Sequence, residues 1–304
     1  MDHSSCFRIG VDEAGYGPRL GPFVMGLVRV DGLGGLTQAL ELAGASAPLV
    51  KDSKRIYHGN LRELEISALA LLTCARAAMP RNLQELLVCS PDGLKAHPWY
   101  GQLELRLPLV ADAADVDRAA AALWRGLKRA NLSLGAACAD VLLEGSFNAR
   151  LKQGHNKADL ELVQLGELVR RHLPVRARGT VLCDRLGGRR HYGEWLASQH
   201  PFWSSGSSSE SADASSYTLV SGRNQLQYQF LVGGESCAAE IAAASILAKY
   251  VRELMMHVFN RFWQSRHAAL KPTAGYPQDA GRFLAAIEGD GMFAEHRSVM
   301  VRAR

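Results

Sequence analysis

Cysteine is sparse and badly placed for structural chemistry. The six residues, at positions 6, 74, 89, 138, 183 and 237, show no CxxC pair and no Cys/His spacing of the kind that holds zinc. Their isolation among apolar residues also argues against a disulfide framework and fits a reducing compartment, the cytoplasm. The opening MDHSSCFRIG has no basic stretch leading into an apolar core, and no uninterrupted apolar run reaches membrane-spanning length. These absences predict a soluble, cytoplasmic protein without a membrane partner. A GxSxG elbow, a Walker lysine loop and an HExxH helix are missing too, which sets aside the commonest serine-hydrolase, P-loop and zinc-protease chemistries. There is no internal repeat, and nothing points to a protein partner.

What is present is enough for a full core: 304 residues, 47% of them hydrophobic, predict a single domain over 1–304. The net charge of +5 suits a polyanionic partner without requiring one. FRIGVD and PFVMGLVRV predict two strands joined by a glycine-rich turn. LRELEISALALLTCARAAM, VDRAAAALWRGLKRANL and KADLELVQLGELVRRHL carry apolar residues at helical spacing, and GTVLCD predicts a strand that stops at Asp184. Strands alternating with helices imply an α/β sheet covered by helices. Residues 204–216, SSGSSSESADASS, are too polar and too small to bury area and are expected to form a mobile loop.

The chemistry sits in the acids. Asp12 and Glu13 end an apolar run and are followed by Gly15, Gly17 and Gly21. Adjacent side chains on a regular strand face opposite ways, so the pair is expected to serve one site where the strand ends and turns. A polar strand end followed by a tight turn is the alternative these residues leave open. Asp184 repeats the arrangement at the end of VLC, where ligands of α/β sheets bind, with a turn or helix-capping aspartate as its alternative. Glu235, in GGES before the small-residue helix SCAAEIAAASILAKYVRE, is a fourth candidate, and Glu240 competes with it. Carboxylates converging without His or Cys call for a hard, oxygen-seeking cation, Mg2+ or Mn2+ ahead of zinc. Two such ions suit phosphodiester hydrolysis.

Taken together, GVDEAGYGPRLGP, KDSKRIY, VLCD, EIAAASILAKYVRE, AGYP and EHRS, in this order, resemble ribonuclease HII, the type 2 ribonuclease H family. The resemblance covers about half the chain. It leaves residues 75–135 without a counterpart, as a family-atypical insertion. It implies a ribonuclease H-like mixed β-sheet flanked by helices, with insertions and a C-terminal helical part. It also implies an endonuclease that uses two Mg2+ or Mn2+ ions to cut the RNA strand of RNA·DNA hybrids, leaving 3′-hydroxyl and 5′-phosphate ends, with a metal-bound water as nucleophile. Carried over by motif, Asp12, Glu13, Asp184 and Glu235 become the catalytic and metal-holding acids. Gly15, Tyr16, Gly17, Lys54, Lys249, Arg252 and Tyr276 become the residues expected to meet nucleic acid.

The sequence departs from that pattern in three places. Tyr16 stands where the family has arginine between the two glycines, and a phenol can stack or donate one hydrogen bond but offers no guanidinium fork. Glu235 replaces the family's usual aspartate, one methylene longer. The interval from Asp184 to Glu235 is extended by RRHYGEWL and the serine-rich stretch. Two alternatives follow: a nucleic-acid binding protein of the same fold with weak or lost hydrolysis, and a nuclease for another structured nucleic acid.

Overall fold

The structure is a computed structural model and describes residues 6–51, 53–57, 60–88 and 91–303, the side chains at 54, 55, 88, 91 and 92 excepted. Among the described residues, eight strands form one mixed sheet. In chain order they are β1 (Cys6–Ala14), β2 (Phe23–Asp31), β3 (Leu87–Val88), β4 (Ser133–Leu142), β5 (Arg178–Asp184), β6 (Ser204–Glu210), β7 (Ala214–Ser221) and β8 (Asn224–Leu231). The order across the sheet is β3-β4-β2-β1-β5-β8-β7-β6. At its centre β2 runs antiparallel to β1 and β4, while β5 and β8 run parallel to β1. This is the expected architecture, a mixed α/β sheet with helices on both faces. Parallel β1 and β5 deliver their carboxyl ends to the same edge, and that geometry positions the site.

The helices are α1 (Leu36–Ala43), α2 (Ser53–Tyr57), α3 (Leu61–Arg76), α4 (Pro91–Lys95), α5 (Ala113–Arg129), α6 (Glu144–Lys152), α7 (Lys157–His172), α8 (Gly193–Gln199), α9 (Gly234–Cys237), α10 (Ala239–Arg266), α11 (Pro277–Ala286) and α12 (Gly291–Met300). The long α10 lies on one face, with α1, α3, α5, α11 and α12 packed around it in a core that includes Leu64, Leu123, Phe259 and Trp263. Helices α6, α7 and α8 cover the other face through Phe147, Leu165, Leu168 and Leu196, packed on Ile9, Val11 and Met25. Two glycines let α10 press onto the sheet. A Cβ on Gly10 would lie 2.1 Å from the Glu240 carbonyl carbon, and one on Gly26 would lie 2.0 Å from the Ala244 oxygen, so neither position has room for a side chain. Among the described residues, no helix is long and apolar enough to cross a membrane.

The serine-rich stretch departs from expectation. In place of a loop, residues 204–210 form edge strand β6, paired antiparallel to β7, and Tyr217 and Leu219 of β7 turn inward. β6 is exposed along its whole length. Its order therefore comes from the backbone ladder and not from apolar burial, which is why composition gave no sign of it. Residues 75–135 are built into the core as well. They supply β3, α4, α5 and a buried turn at 98–100 whose Trp99 and Tyr100 are enclosed.

Candidate active site

β1 does not end at its two acids. Its pairing with β2 continues through Asp12–Gly26 and Glu13–Met25 to Ala14–Val24. The adjacent acids consequently straddle the sheet, which corrects the expectation that the strand ends and turns at the pair. Glu13 continues the period-two row Ile9, Val11 toward the α7 face, while Asp12 follows Gly10 toward α10. Asp12 is 4% exposed, accepts the Glu13 backbone N–H at 2.8 Å, and shares a side-chain hydrogen bond with Ser245 of α10. Ser245 Oγ lies 3.0 Å from Ser53 Oγ, and the Ser53 backbone N–H donates to Glu235 Oε2 at 3.0 Å. The segment KDSKRIY thus links the early acid to the late one through one serine.

Asp184 ends β5 one residue beyond the Val11–Cys183 pair, level with Asp12 on the neighbouring strand. The Gly234 N–H donates to Asp184 Oδ1 at 2.8 Å, so the turn after β8 brings Glu235 to the same end of the sheet. Glu240 faces elsewhere: it accepts from Arg8 Nε and from the Leu36 backbone N–H, both at 2.9 Å, and caps the approach to α1. Between the two late candidates, Glu235 lies with the cluster and Glu240 is a structural ion pair.

A fifth acid, absent from the sequence expectation, joins from α7. Glu161 is 1% exposed, and neither carboxylate oxygen has a hydrogen-bond partner. Burial and then repulsion from Glu13, with Glu235 and Asp184 adding to it, hold the Asp12 carboxyl well above its ordinary range. Burial, Glu161 and Asp184 raise Glu13. Burial pushes Glu161 up to about 8, with Arg189 opposing and Asp12 reinforcing the shift. These are the signs of a negative cluster with too little positive charge inside it.

As placed, no three acids among the described residues stand close enough to hold one ion. Carboxylates that repel one another and flank both faces of a sheet end spread apart in this way. The donor set still fits hard divalent cations: it is all oxygen, Asp12 and Glu161 are buried and the other acids half-buried, and Glu13 Oε2 and both Glu161 oxygens are without donors. Asp12, Glu13, Asp184 and Glu235 are the residues that would hold them.

The residues expected to meet nucleic acid divide. Gly15 has φ +92°, and a Cβ there would lie 2.6 Å from the Pro22 oxygen; Gly17 is exposed with open space around it. Tyr16 is half-buried between them. Tyr276 is exposed at the start of α11, its ring 5.3 Å from the Arg252 guanidinium. Lys54 belongs to α2, but its side chain lies outside the described residues. Lys249 is engaged by Glu253 at 2.8 Å and lies over the Tyr57 ring. Arg252 needs correction. At 1% exposure it cannot reach a phosphate, and its Nη2 donates to the Ala274 carbonyl at 2.9 Å, tying α10 to the AGYP turn.

Arg302 was not expected at all. It is buried, stacks 4.0 Å from the Phe147 ring, and its guanidinium donates to the carbonyls of Gly15 and Tyr16. Asn148 of α6 fastens the surrounding chain, donating to the Ser298 and Val301 carbonyls and accepting the Ala303 N–H. Below it the buried Glu144, which accepts the Tyr100 hydroxyl at 2.8 Å, offsets the charge of Arg302. The C-terminal segment therefore straps down the Gly15–Tyr16–Gly17 turn, and residues 98–100 brace the strap.

Fold and cluster together define a class: a mixed-sheet α/β protein with an acidic centre at the carboxyl ends of two neighbouring parallel strands. No protein-family model matches the chain. No curated protein is significantly similar to it in sequence. Among solved structures it is similar to Bst ribonuclease HIII in complex with Mn2+, at 17% identity and a TM-score of 0.48, covering 99% of this chain and 67% of that one. It is also similar to ribonuclease HII of Archaeoglobus fulgidus, solved with PCNA, at 12% identity, TM-score 0.44, and 98% and 94% coverage. A third is ribonuclease H2 of Pyrococcus horikoshii OT3, at 14% identity, TM-score 0.42, and 97% and 92% coverage. At such low identities the site has to be read from its own geometry.

Proposed function

We propose that this protein is a metal-dependent endonuclease that hydrolyses the RNA strand of RNA·DNA hybrids with Mg2+ or Mn2+, two ions to a site, leaving 3′-hydroxyl and 5′-phosphate ends. The observation that carries this reading is the placement of Asp12 beside Asp184 at the carboxyl ends of parallel β1 and β5, with Glu13 next along β1 and Glu235 linked to Asp12 through Ser53 and Ser245, four acids in the order of the ribonuclease HII motifs. When bound, divalent cations supply an activated water and stabilise the leaving oxygen. The protein's own part is to hold the carboxylates at one end of the sheet, where Ser245, Ser53 and the Gly234 N–H orient them. Gly17, exposed with open space around it, leaves the backbone open to a sugar-phosphate, and Tyr16 offers a ring and one hydroxyl where a ribose 2′-hydroxyl would pass. The exposed face of Tyr276 can stack against the substrate sugar.

The test is cleavage of an end-labelled RNA·DNA hybrid with either ion. Expected are products with 3′-hydroxyl ends, and loss of cutting on chelation. Folded protein that cuts with neither ion overturns the reading. One observation favours a second reading, a hybrid-binding protein without turnover: among the described residues, no three acids stand within reach of one ion. That protein would bind the hybrid with steep salt dependence and leave it whole in the same assay.

A further inference from the structure

We propose that Glu161 is a fifth cation-holding carboxylate, serving the α7 face of the acidic centre as Asp12 and Glu235 serve the α10 face. The inference rests on the cation-dependent reading above and adds a residue that the ribonuclease HII motifs do not supply.

Three observations carry it. First, Glu161 is fixed in place. Helix α7 begins with a reciprocal cap, Asn156 accepting the Asp159 N–H at 3.0 Å and Asp159 accepting the Asn156 N–H at 3.1 Å, and Leu165 and Leu168 anchor it to the sheet. Second, both of its carboxylate oxygens are buried without a donor. Proteins seldom leave both oxygens of a buried carboxylate without a donor unless a cation or other bound group completes them. Arg189, whose charge opposes the upward shift at Glu161, makes its ion pair with Asp159, at 3.5 Å. Third, the carboxylate is aimed at the centre. A Cβ on Gly187, three residues after Asp184, would lie 3.4 Å from Glu161 Oε2 and 3.5 Å from the Tyr16 hydroxyl, so Glu161 occupies the space beside the substrate-facing turn. Its close electrostatic neighbour is Glu13, whose Oε2 is likewise buried and unpartnered. Because β1 splits its adjacent acids between two faces, Glu13 would stand alone on the α7 side without Glu161. A cation drawn to that side finds two carboxylates.

The experiment compares Glu161→Gln with the unaltered protein and Asp12→Asn. Mn2+ binding is followed by the electron paramagnetic resonance of the free ion, and metal-free melting by calorimetry. The expected result is that Glu161→Gln weakens Mn2+ binding by about tenfold or more, as loss of a supporting carboxylate does. The same variant should melt higher than the parent without metal, because an orphaned charge has gone. A merely structural carboxylate would give the opposite sign in melting and no change in Mn2+ affinity, and that outcome overturns the proposal. If Asp12→Asn loosens Mn2+ and Glu161→Gln does not, only this inference fails. If neither variant changes Mn2+ binding, the reading beneath it fails as well. Should Glu161→Gln not fold, Glu161→Asp keeps the charge on a shorter arm, and unchanged Mn2+ affinity there counts equally against the role.

Discussion

Glu65 and Glu161 lie on helices that cover opposite faces of the same sheet, and both are almost wholly enclosed, at 0% and 1% exposure. Their surroundings differ completely. Glu65 accepts the backbone N–H groups of Leu109, Val110 and Ala111 and the Tyr250 hydroxyl, each at 2.7 Å. Glu161 accepts nothing. One buried carboxylate is a mooring, binding residues 109–111 to α3 and α10; the other is an open valence beside more negative charge. The difference shows how to tell a structural buried acid from a functional one: by the donors that surround it, and not by depth or by residue type.

Removing a charge from the open side should cost activity and leave the fold alone. Asp12→Asn is expected to lower hybrid cleavage by at least about 10³-fold, as loss of one member of a concerted set does. Urea unfolding should change by less than about 1 kcal/mol, because the volume is nearly unchanged. The mooring side should behave in reverse. Glu65→Ala strips four donors of their acceptor, the Tyr250 hydroxyl among them buried, and is expected to destabilise the protein by about 4 kcal/mol in urea titration, with cleavage per folded molecule retained. If Glu65→Ala were stable and inactive, the contrast between the two acids would be wrong.

The sign of the pH dependence sharpens the same contrast. Glu161 is raised from 4.5 to about 8 by burial, with Asp12 adding repulsion, and Glu13 is raised by burial and by Glu161. A carboxyl whose folded pKa lies above its unfolded value favours the folded state at low pH and withdraws that support as pH rises. Metal-free protein should therefore lose stability, on the order of a few kcal/mol, between pH 4.5 and about 8. Saturating Mn2+ should cancel the loss, since the cation then competes with the proton for the same oxygens. Thermal melts across that window with and without Mn2+ check it. A metal-free stability that climbs through the window would mean the acids are already compensated.

How much of this was legible depends on what each residue leans on. The apolar runs of β1 and β5 lead directly into Asp12 and Asp184, and Glu235 follows a glycine pair just before a small-residue helix, so these three announce themselves. The straddling of Asp12 and Glu13 was not legible, because it hinges on β2 pairing as far as Val24. Glu161 had a signal that went unused: it lies four residues before Leu165 and seven before Leu168, on the buried stripe of α7, where a glutamate is out of place. Arg252 and Lys249 looked like phosphate contacts because they are basic. Yet α10 is enclosed along most of its length, and one of them ties down a turn while the other pairs with Glu253. The serine-rich strand was hidden for the opposite reason, being held by a ladder that leaves no trace in composition.

The strap tests whether the two sides communicate. Arg302 joins the satisfied region to the open one: its charge is offset by buried Glu144, and its donors end on the carbonyls of Gly15 and Tyr16. Nothing in the arrangement places it against a carboxylate of the acidic centre, so its effect should run through the turn. Arg302→Ala is expected to cost about 2 kcal/mol of stability, the usual worth of hydrogen bonds from a buried charge. It should raise KM for the hybrid while Mn2+ affinity stays as it was, since Tyr16 would be loosened and the acids untouched. Arg302→Lys keeps the charge but loses the planar fork, so it should recover part of the stability and little of the KM. A variant that instead weakened Mn2+ binding would show that the turn also sets the position of the carboxylates, and the separation between moored and open regions would have to be redrawn at Gly15.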